Sequence, residues 1–117
     1  MITKFECVNI NSKDPEALYD FYKAIGAPVY AINGSFDGWR LGNENEGYIC
    51  VWDAKWGKST AGFVTNVFRV DDLQKTYEEL SAKGIKINPP MTTAWGGMKM
   101  EFEDLDGNKI LFLQEGK

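Results

Sequence analysis

The sequence predicts an α+β fold built from two similar modules, each with the element order β-α-β-β-β. Three observations predict it: segments that alternate apolar and polar residues as strands do, two amphipathic segments bounded by helix-capping residues, and a repeat along the chain. Asp72 follows Asp14 by 58 positions, and Gly84 follows Gly26 by the same interval. Because this interval is half of the 117-residue chain, it indicates an internal duplication.

The first module is predicted to begin with a strand over residues 5–12. Val8 and Ile10 lie on one face of this strand, and Cys7 and Asn9 lie on the other. Three further strands are expected later in the module, separated by polar turns at residues 33–35 and 42–47. These strands span residues 28–32, 39–41 and 48–52.

A helix is predicted between Asp14 and Gly26. Asp is a favoured N-cap residue, and Gly is a favoured residue just after the end of a helix. Pro15 fits the first helical position, because an N–H group there would have no acceptor within the helix and its absence costs nothing. Apolar residues recur between the two ends at the spacing of one helix face: Leu18, Phe21, Tyr22 and Ile25. This face is expected to pack on a sheet.

The second module repeats this order after a linker. The first module is expected over about residues 1–54, the linker over 55–61, which are rich in Gly, Ser and Lys, and the second module over 62–117. Its predicted elements are a strand, a helix capped by Asp72, a short strand before Pro89-Pro90 and a final hairpin. The first three span residues 62–70, 73–83 and 85–88.

The final hairpin carries the clearest local signal in the chain. In its first arm Met98, Met100 and Phe102 alternate with Lys99, Glu101 and Glu103. The sequence Asp-Gly-Asn at residues 106–108 tolerates positive φ and favours a reversal, and a mostly apolar strand follows it.

Charge and composition argue against nucleic-acid and membrane partners. The net charge of −4 and pI near 4.8 come without a stripe of Lys and Arg, so no nucleic-acid partner is expected. No apolar run approaches the roughly 20 residues of a membrane helix, and the first residues do not resemble a signal peptide. We therefore expect a cytoplasmic protein without a membrane partner, in which the two cysteines stay thiols.

The chain contains no histidine. This excludes Ser-His-Asp and Cys-His catalysis and removes the commonest protein ligand of zinc, iron and nickel.

Four segments, at residues 14–26, 68–73, 95–97 and 104–108, together carry a family resemblance. With them the chain resembles the vicinal oxygen chelate superfamily, which includes glyoxalase I, bleomycin-resistance proteins, fosfomycin-resistance transferases and extradiol dioxygenases. Leu105 stands where that family usually has Pro. The resemblance implies a curved mixed sheet around a cavity, to which each module contributes four strands with its helix on the convex side. It also implies a homodimer, often one that exchanges modules.

The resemblance further implies where metal ligands would stand. Metal-using relatives chelate through His or Glu on the first and last strands of each module, and these positions correspond here to Cys7, Cys50, Thr65 and Leu111. Leu cannot coordinate a metal, and neutral Thr is a poor ligand for a divalent cation. We therefore expect neither a metal nor another cofactor. The thiols are expected to pack as small apolar side chains, with a soft-metal or redox-active pair as the alternative.

By the same resemblance, the expected ligand-binding residues include more than the metal positions. The further candidates are Asn9, Arg40, Tyr48, Trp52, Trp95, Lys99 and Glu101. For Lys99 and Glu101 the alternative is a solvated strand face with cross-strand ion pairs.

Three functions follow as hypotheses. The first is a metal-free protein, similar to bleomycin-resistance proteins, that sequesters a small aromatic or cationic compound. The second is a lyase or isomerase of glyoxalase type, which depends on a metal or uses Glu101 or Cys7 as a base. The third is an interaction module whose pocket is filled by its own side chains.

Overall fold

The computed structural model describes residues 1–31, 39–43, 47–94 and 96–114. The turn predicted at residues 33–35, half of the turn predicted at 42–47 and the candidate ligand-binding residue Trp95 lie outside these ranges. The chain divides into two compact units, Met1–Gly62 and Phe63–Lys117, called here unit 1 and unit 2. Of the helices in the described ranges, none has the length and apolar character needed to cross a membrane.

Unit 1 contains one four-stranded sheet and one main helix. Its elements are β1 (Cys7–Ser12), α1 (Pro15–Ala24), β2 (Val29–Ala31), β3 (Trp39–Leu41) and β4 (Tyr48–Asp53), followed by a short 3₁₀ helix at Ala54–Trp56. The strand order in the sheet is β1-β4-β3-β2. Strands β1 and β4 are parallel, and the other neighbours are antiparallel.

Unit 2 repeats this topology. Its elements are β5 (Thr65–Arg69), α2 (Leu73–Ala82), β6 (Met91–Thr92), β7 (Met98–Glu103) and β8 (Lys109–Gln114). The strand order is β5-β8-β7-β6, which places the first and last strands of the unit side by side in parallel, as in unit 1. The predicted α+β fold with two βαβββ modules is thus confirmed.

Both helices begin and end as the sequence predicts. The Asp14 carboxylate accepts a hydrogen bond from the backbone N–H of Ala17 at 3.1 Å, and Asp72 accepts one from Lys75 at 3.0 Å. Gly26 and Gly84 then take φ values of +94° and +80°, which side chains with a Cβ rarely adopt.

Each unit has its core between its helix and one face of its sheet. In unit 1, Ile10, Leu18, Tyr22 and Val51 are fully buried. Val8 shares the strand face of Ile10 but keeps 49% of its surface exposed. In unit 2 the fully buried apolar residues are Leu73, Met100 and Ile110, and the rings of Phe102 and Phe112 meet edge to face at 5.1 Å.

The turn between β7 and β8 is organised by Asp104. One carboxylate oxygen accepts hydrogen bonds from the backbone N–H groups of Asp106 at 2.8 Å and Asn108 at 2.9 Å, and the other accepts one from the Asn108 side chain at 3.0 Å. Gly107 takes a φ of +77° in the turn. The predicted hairpin reversal therefore depends on a carboxylate two residues before Asp106.

The strand predicted at residues 85–88 is wrong. Only an isolated antiparallel bridge joins Ile87 to Phe102, and the fourth strand of the sheet is Met91–Thr92, which pairs with β7. Pro89 and Pro90 lack the N–H donors that a continuous ladder needs, so regular pairing begins only after them.

The segment that links the modules has structure of its own. Its first residues form the 3₁₀ helix. The Thr60 backbone N–H donates a hydrogen bond to the Asn11 carbonyl of β1 at 3.1 Å, and the Asn11 backbone N–H donates one to the Thr60 hydroxyl oxygen at 3.0 Å. These contacts attach the segment to unit 1.

Candidate functional site

Each sheet has one face packed on its helix and a second face without a helix, called here the helix-free face. Residues that pair on neighbouring strands point to the same side of a sheet, so the register defines which residues share this face. In unit 1 they are Cys7, Asn9, Asn11, Tyr30, Arg40, Tyr48, Cys50 and Trp52. In unit 2 they are Thr65, Val67, Arg69, Met91, Lys99, Glu101, Glu103, Lys109, Leu111 and Leu113. Every candidate ligand-binding residue except Trp95, which is outside the described ranges, lies on one of these two faces.

Arg40 lies in the middle of the helix-free face of unit 1. It pairs with Tyr30 on β2 and with Cys50 on β4. Its guanidinium carbon lies 4.5 Å from the ring centroid of Tyr48 and 5.9 Å from that of Tyr30, within cation–π distance of both. Burial acts to lower the pKa of Arg40, but the neighbouring Tyr30, Tyr48 and Cys50 outweigh it and raise the pKa. The side chain is therefore a permanent cation on an aromatic support.

Tyr48 is held in place by Glu6. The Tyr48 hydroxyl donates a hydrogen bond of 2.8 Å to Glu6 Oε2. Chiefly because of this bond, the pKa of Tyr48 rises to about 12, while the same bond, together with Lys4, lowers the pKa of Glu6. The ring beside Arg40 is therefore a neutral phenol, and its carboxylate partner is ionised at neutral pH.

A second polar group on this face centres on Asn9. Its side-chain oxygen accepts hydrogen bonds from Trp52 Nε1 at 3.1 Å and from the Cys7 thiol at 3.6 Å. These bonds orient the half-buried Trp52 ring on the same side as Arg40. Cys50 is 2% exposed, and burial raises the pKa of its thiol, which makes it a weak nucleophile at neutral pH.

On the helix-free face of unit 2, Glu101 is paired with two lysines. Lys99 Nζ lies 3.1 Å from Glu101 Oε1, and Lys109 Nζ lies 3.9 Å from Oε2. The hydrogen bond from Lys99 and the charge of Lys109 lower the pKa of Glu101. A carboxylate with a lowered pKa is a weaker general base, so this environment does not activate Glu101 for proton abstraction.

The four positions that correspond to family metal ligands occupy matching places in the two sheets. Cys50 on β4 pairs with Asn9, which lies two residues after Cys7 on β1. In the same way Leu111 on β8 pairs with Val67, which lies two residues after Thr65 on β5. Within the described part of the chain, no three or more His, Cys, Asp or Glu side chains converge as a metal site would require.

Two residues near Arg40 and Tyr48 in unit 1, Tyr30 and Glu6, were not predicted from the sequence as members of the site. Tyr30 lies in a three-residue strand and pairs with Arg40, ten positions later in the sequence, so local periodicity does not reveal that the two are neighbours. Glu6 precedes β1 and reaches Tyr48 across 42 positions of sequence. The sequence pattern that could have indicated Tyr30 was strand alternation, which places its side chain on the opposite face from that of Val29.

Residues 4–112 match the family model of the Glyoxalase/Bleomycin resistance protein/Dioxygenase superfamily. No curated protein shows a significant match to the chain.

Solved structures with high similarity cover nearly the whole chain. TnmS3, an antibiotic binding protein from Streptomyces sp. CB03234, is 23% identical with a TM-score of 0.77, over 98% of each chain. A superfamily member from Sphaerobacter thermophilus DSM 20745 is 19% identical with a TM-score of 0.75, over 98% of this chain and 99% of the other. A bleomycin resistance determinant encoded on the transposon Tn5 is 21% identical with a TM-score of 0.69, over 97% of this chain and 98% of the other. At these identities the likeness establishes the fold alone.

Proposed function

We propose that this chain, which belongs to the Glyoxalase/Bleomycin resistance protein/Dioxygenase superfamily, binds and sequesters a small aromatic compound without using a metal ion. The observation that carries the proposal is the helix-free face of unit 1, where Tyr30, Tyr48 and Trp52 share one side of the sheet with Arg40. Aromatic side chains with a few fixed polar groups are the usual lining of a small-molecule site. The sequence alone left a cationic ligand open as well, but the permanent charge of Arg40 would repel a cation here.

Two of the similar structures support a binding role. TnmS3 is described as an antibiotic binding protein, and the Tn5 protein as a bleomycin resistance determinant. Both share the fold of this chain over nearly its full length, which supports a binding role for this chain as well.

The metal-free part of the proposal depends on the side chains at the four family positions. Leu111 has no donor atom, Thr65 offers a neutral hydroxyl, and Cys50 is a buried thiol with a raised pKa. Binding of a hard or borderline metal there would lack the His and carboxylate ligands that such ions prefer.

A screen of planar aromatic compounds, with bleomycin included, tests binding. We expect one or more compounds to raise the thermal midpoint and to remain attached in native mass spectrometry, because a ligand that binds only the folded state stabilises it. Trp52→Ala should weaken the complex, while Tyr19→Ala on helix α1 serves as the control for loss of an aromatic ring elsewhere. Retention of no compound by the unaltered protein would contradict the proposal.

Elemental analysis of protein purified without chelators tests the metal-free part separately. We expect nickel, zinc and manganese each well below one equivalent per chain. A stoichiometric metal that disappears in Cys7→Ala would contradict this part and would favour the lyase or isomerase hypothesis.

We also propose that the protein works as a cytoplasmic homodimer. Support for the compartment comes from Cys7 and Cys50, which are both free thiols, the form that a reducing compartment maintains. Fractionation of cells that express the chain would test the location.

A further inference from the structure

We infer that the compound bound on the helix-free face of unit 1 carries an anionic oxygen, as a carboxylate or phenolate does, and that Arg40 is the residue that binds it. This inference rests on the proposed binding function and names the chemical class of its ligand.

The charge of Arg40 is not balanced within the described part of unit 1. The ion pairs found among the described residues of this unit join Lys4 to Glu6 and Lys55 to Asp53, and neither includes Arg40. Glu6 is close enough for its charge and that of Arg40 to influence each other, but its carboxylate is already bound to the Tyr48 hydroxyl and paired with Lys4. In the part of the chain that the structure describes, this face therefore presents a cation without a dedicated carboxylate.

Two polar atoms at the same place lack hydrogen-bond partners. Arg40 Nε and the Tyr30 hydroxyl oxygen are both fully covered, and neither meets a partner among the described residues. Tyr30 is the neighbour that contributes most to raising the pKa of Arg40, so the two side chains lie close together on this face. Buried polar groups are normally paired, so an unpaired one indicates a partner that the protein itself does not supply, such as a water or an ion. A ligand oxygen is an acceptor that both groups could use after a small side-chain rotation.

The aromatic neighbours fix the orientation of this cation. Tyr48 lies under the guanidinium at 4.5 Å and is itself anchored by the 2.8 Å bond to Glu6. A guanidinium held against a ring keeps its planar edge available for a carboxylate, which it binds through parallel N–H donors. Arg40 as a whole is half-buried, so its outer edge is the part that a ligand would meet.

The local chemistry differs from that of the chain as a whole. The net charge of −4 disfavours anions in general, so an anion is bound only where a cation is placed to receive it. On the helix-free face of unit 2 the comparable position, Glu101, is occupied by a carboxylate already paired with lysines. The cation of unit 1 thus has no counterpart at the corresponding position of unit 2.

A charge series on one ring system tests the inference. The probes are 2-naphthoate, its neutral amide 2-naphthamide, and the cation 2-naphthylmethylammonium, each titrated into the full chain by calorimetry with native mass spectrometry as a second readout. We expect the acid to bind about tenfold or more tightly than the amide, as a charge-assisted hydrogen bond to a partly buried guanidinium would give, and the cation to bind most weakly.

Variants assign this preference to Arg40. Arg40→Gln should bring the ratio of acid affinity to amide affinity close to one, and the affinity for the amide should stay unchanged. Arg40→Lys keeps the charge but not the planar donors, so it should retain part of the preference for the acid over the amide. It provides a second test if the Gln variant does not fold. Lys13→Gln, an exposed residue before helix α1, makes the same change in net charge and should leave the ratio unaltered.

The outcomes separate the inference from the function on which it rests. Equal affinities for acid and amide in the unaltered protein, a preference for the cation, or an unchanged ratio in Arg40→Gln would overturn the inference and leave a binding function in place. Failure of all three probes and of the wider aromatic screen would overturn both.

Discussion

At the scale of single residues, Asp104 stabilises the turn between β7 and β8 by accepting three hydrogen bonds. Its side chain is buried, since the residue is only 7% exposed. Asp104→Ala leaves buried N–H donors without partners, so we expect the free energy of unfolding to fall by about 2–4 kcal/mol. Urea denaturation would measure this. Glu103→Ala, one residue earlier and exposed, should change stability by less than about 0.5 kcal/mol. Equal effects of the two substitutions would show that the carboxylate does not hold the turn.

Tyr48 gives a second prediction at this scale, in alkaline solution. Its pKa of about 12 lies above the ordinary value of about 10, so the folded protein holds the phenol proton more tightly than the unfolded chain. The resulting stabilisation is complete below about pH 10 and is lost as the pH rises toward 12. Absorbance of tyrosinate should show a component near pH 12 that is absent in Tyr48→Phe.

The partner of Tyr48 supplies the control for this titration. Glu6→Gln should move the late component to lower pH, because the hydrogen bond to Glu6 is the largest cause of the shift. Glu16→Gln, an exposed carboxylate in helix α1, should leave it in place. A late component that survives in Tyr48→Phe would belong to another tyrosine.

At the scale of secondary-structure elements, the two helices use the same N-terminal device. Asp14→Ala and Asp72→Ala each remove a side-chain acceptor from a backbone N–H in the first turn, and each should cost about 1 kcal/mol of unfolding free energy. Asp20→Ala, on the exposed side of α1, should not be destabilising. Chemical denaturation of the three variants provides the comparison, and a cost confined to one cap would argue against equivalent helices.

Most elements could be predicted because their signals are local. Capping residues, alternation and the 58-residue repeat depend on neighbours in sequence or on a direct match between halves. The fourth strand of unit 2 could not be found in this way, because Met91–Thr92 is only two residues long and is defined by pairing with β7. The alternating Ile-Lys-Ile-Asn at residues 85–88 was the stronger local pattern, but Pro89 and Pro90 determine where the ladder can form.

At the scale of the whole molecule, duplication gives two sheets of one topology whose corresponding positions carry different chemistry. Arg40 pairs with Cys50 as Glu101 pairs with Leu111, so a cation in one sheet matches a carboxylate in the other. The sequence could place these residues on strand faces through the repeat and the family resemblance. It could not show that Arg40 lies on Tyr48 with no carboxylate partner among the described residues, because that arrangement depends on contacts between strands far apart in sequence.

Association of two chains is the last prediction at this scale. Several large apolar side chains are exposed in the single chain, among them Phe5 at 65%, Phe63 at 88%, Val67 at 55% and Met91 at 52%. Exposed apolar surface of this kind favours burial against a partner, and a symmetric homodimer is the commonest form that such burial takes.

Light scattering at micromolar concentration should therefore give twice the chain mass of 13.2 kDa. Because folding is then coupled to association, dilution should lower the thermal midpoint, which a monomer would not show. Val67→Glu, which places a charge on the exposed apolar surface of β5, should shift the equilibrium toward the monomer, whereas Lys13→Glu should not. A mass of one chain at every concentration, with a midpoint independent of dilution, would show that these side chains remain in water or meet a ligand instead of a second copy.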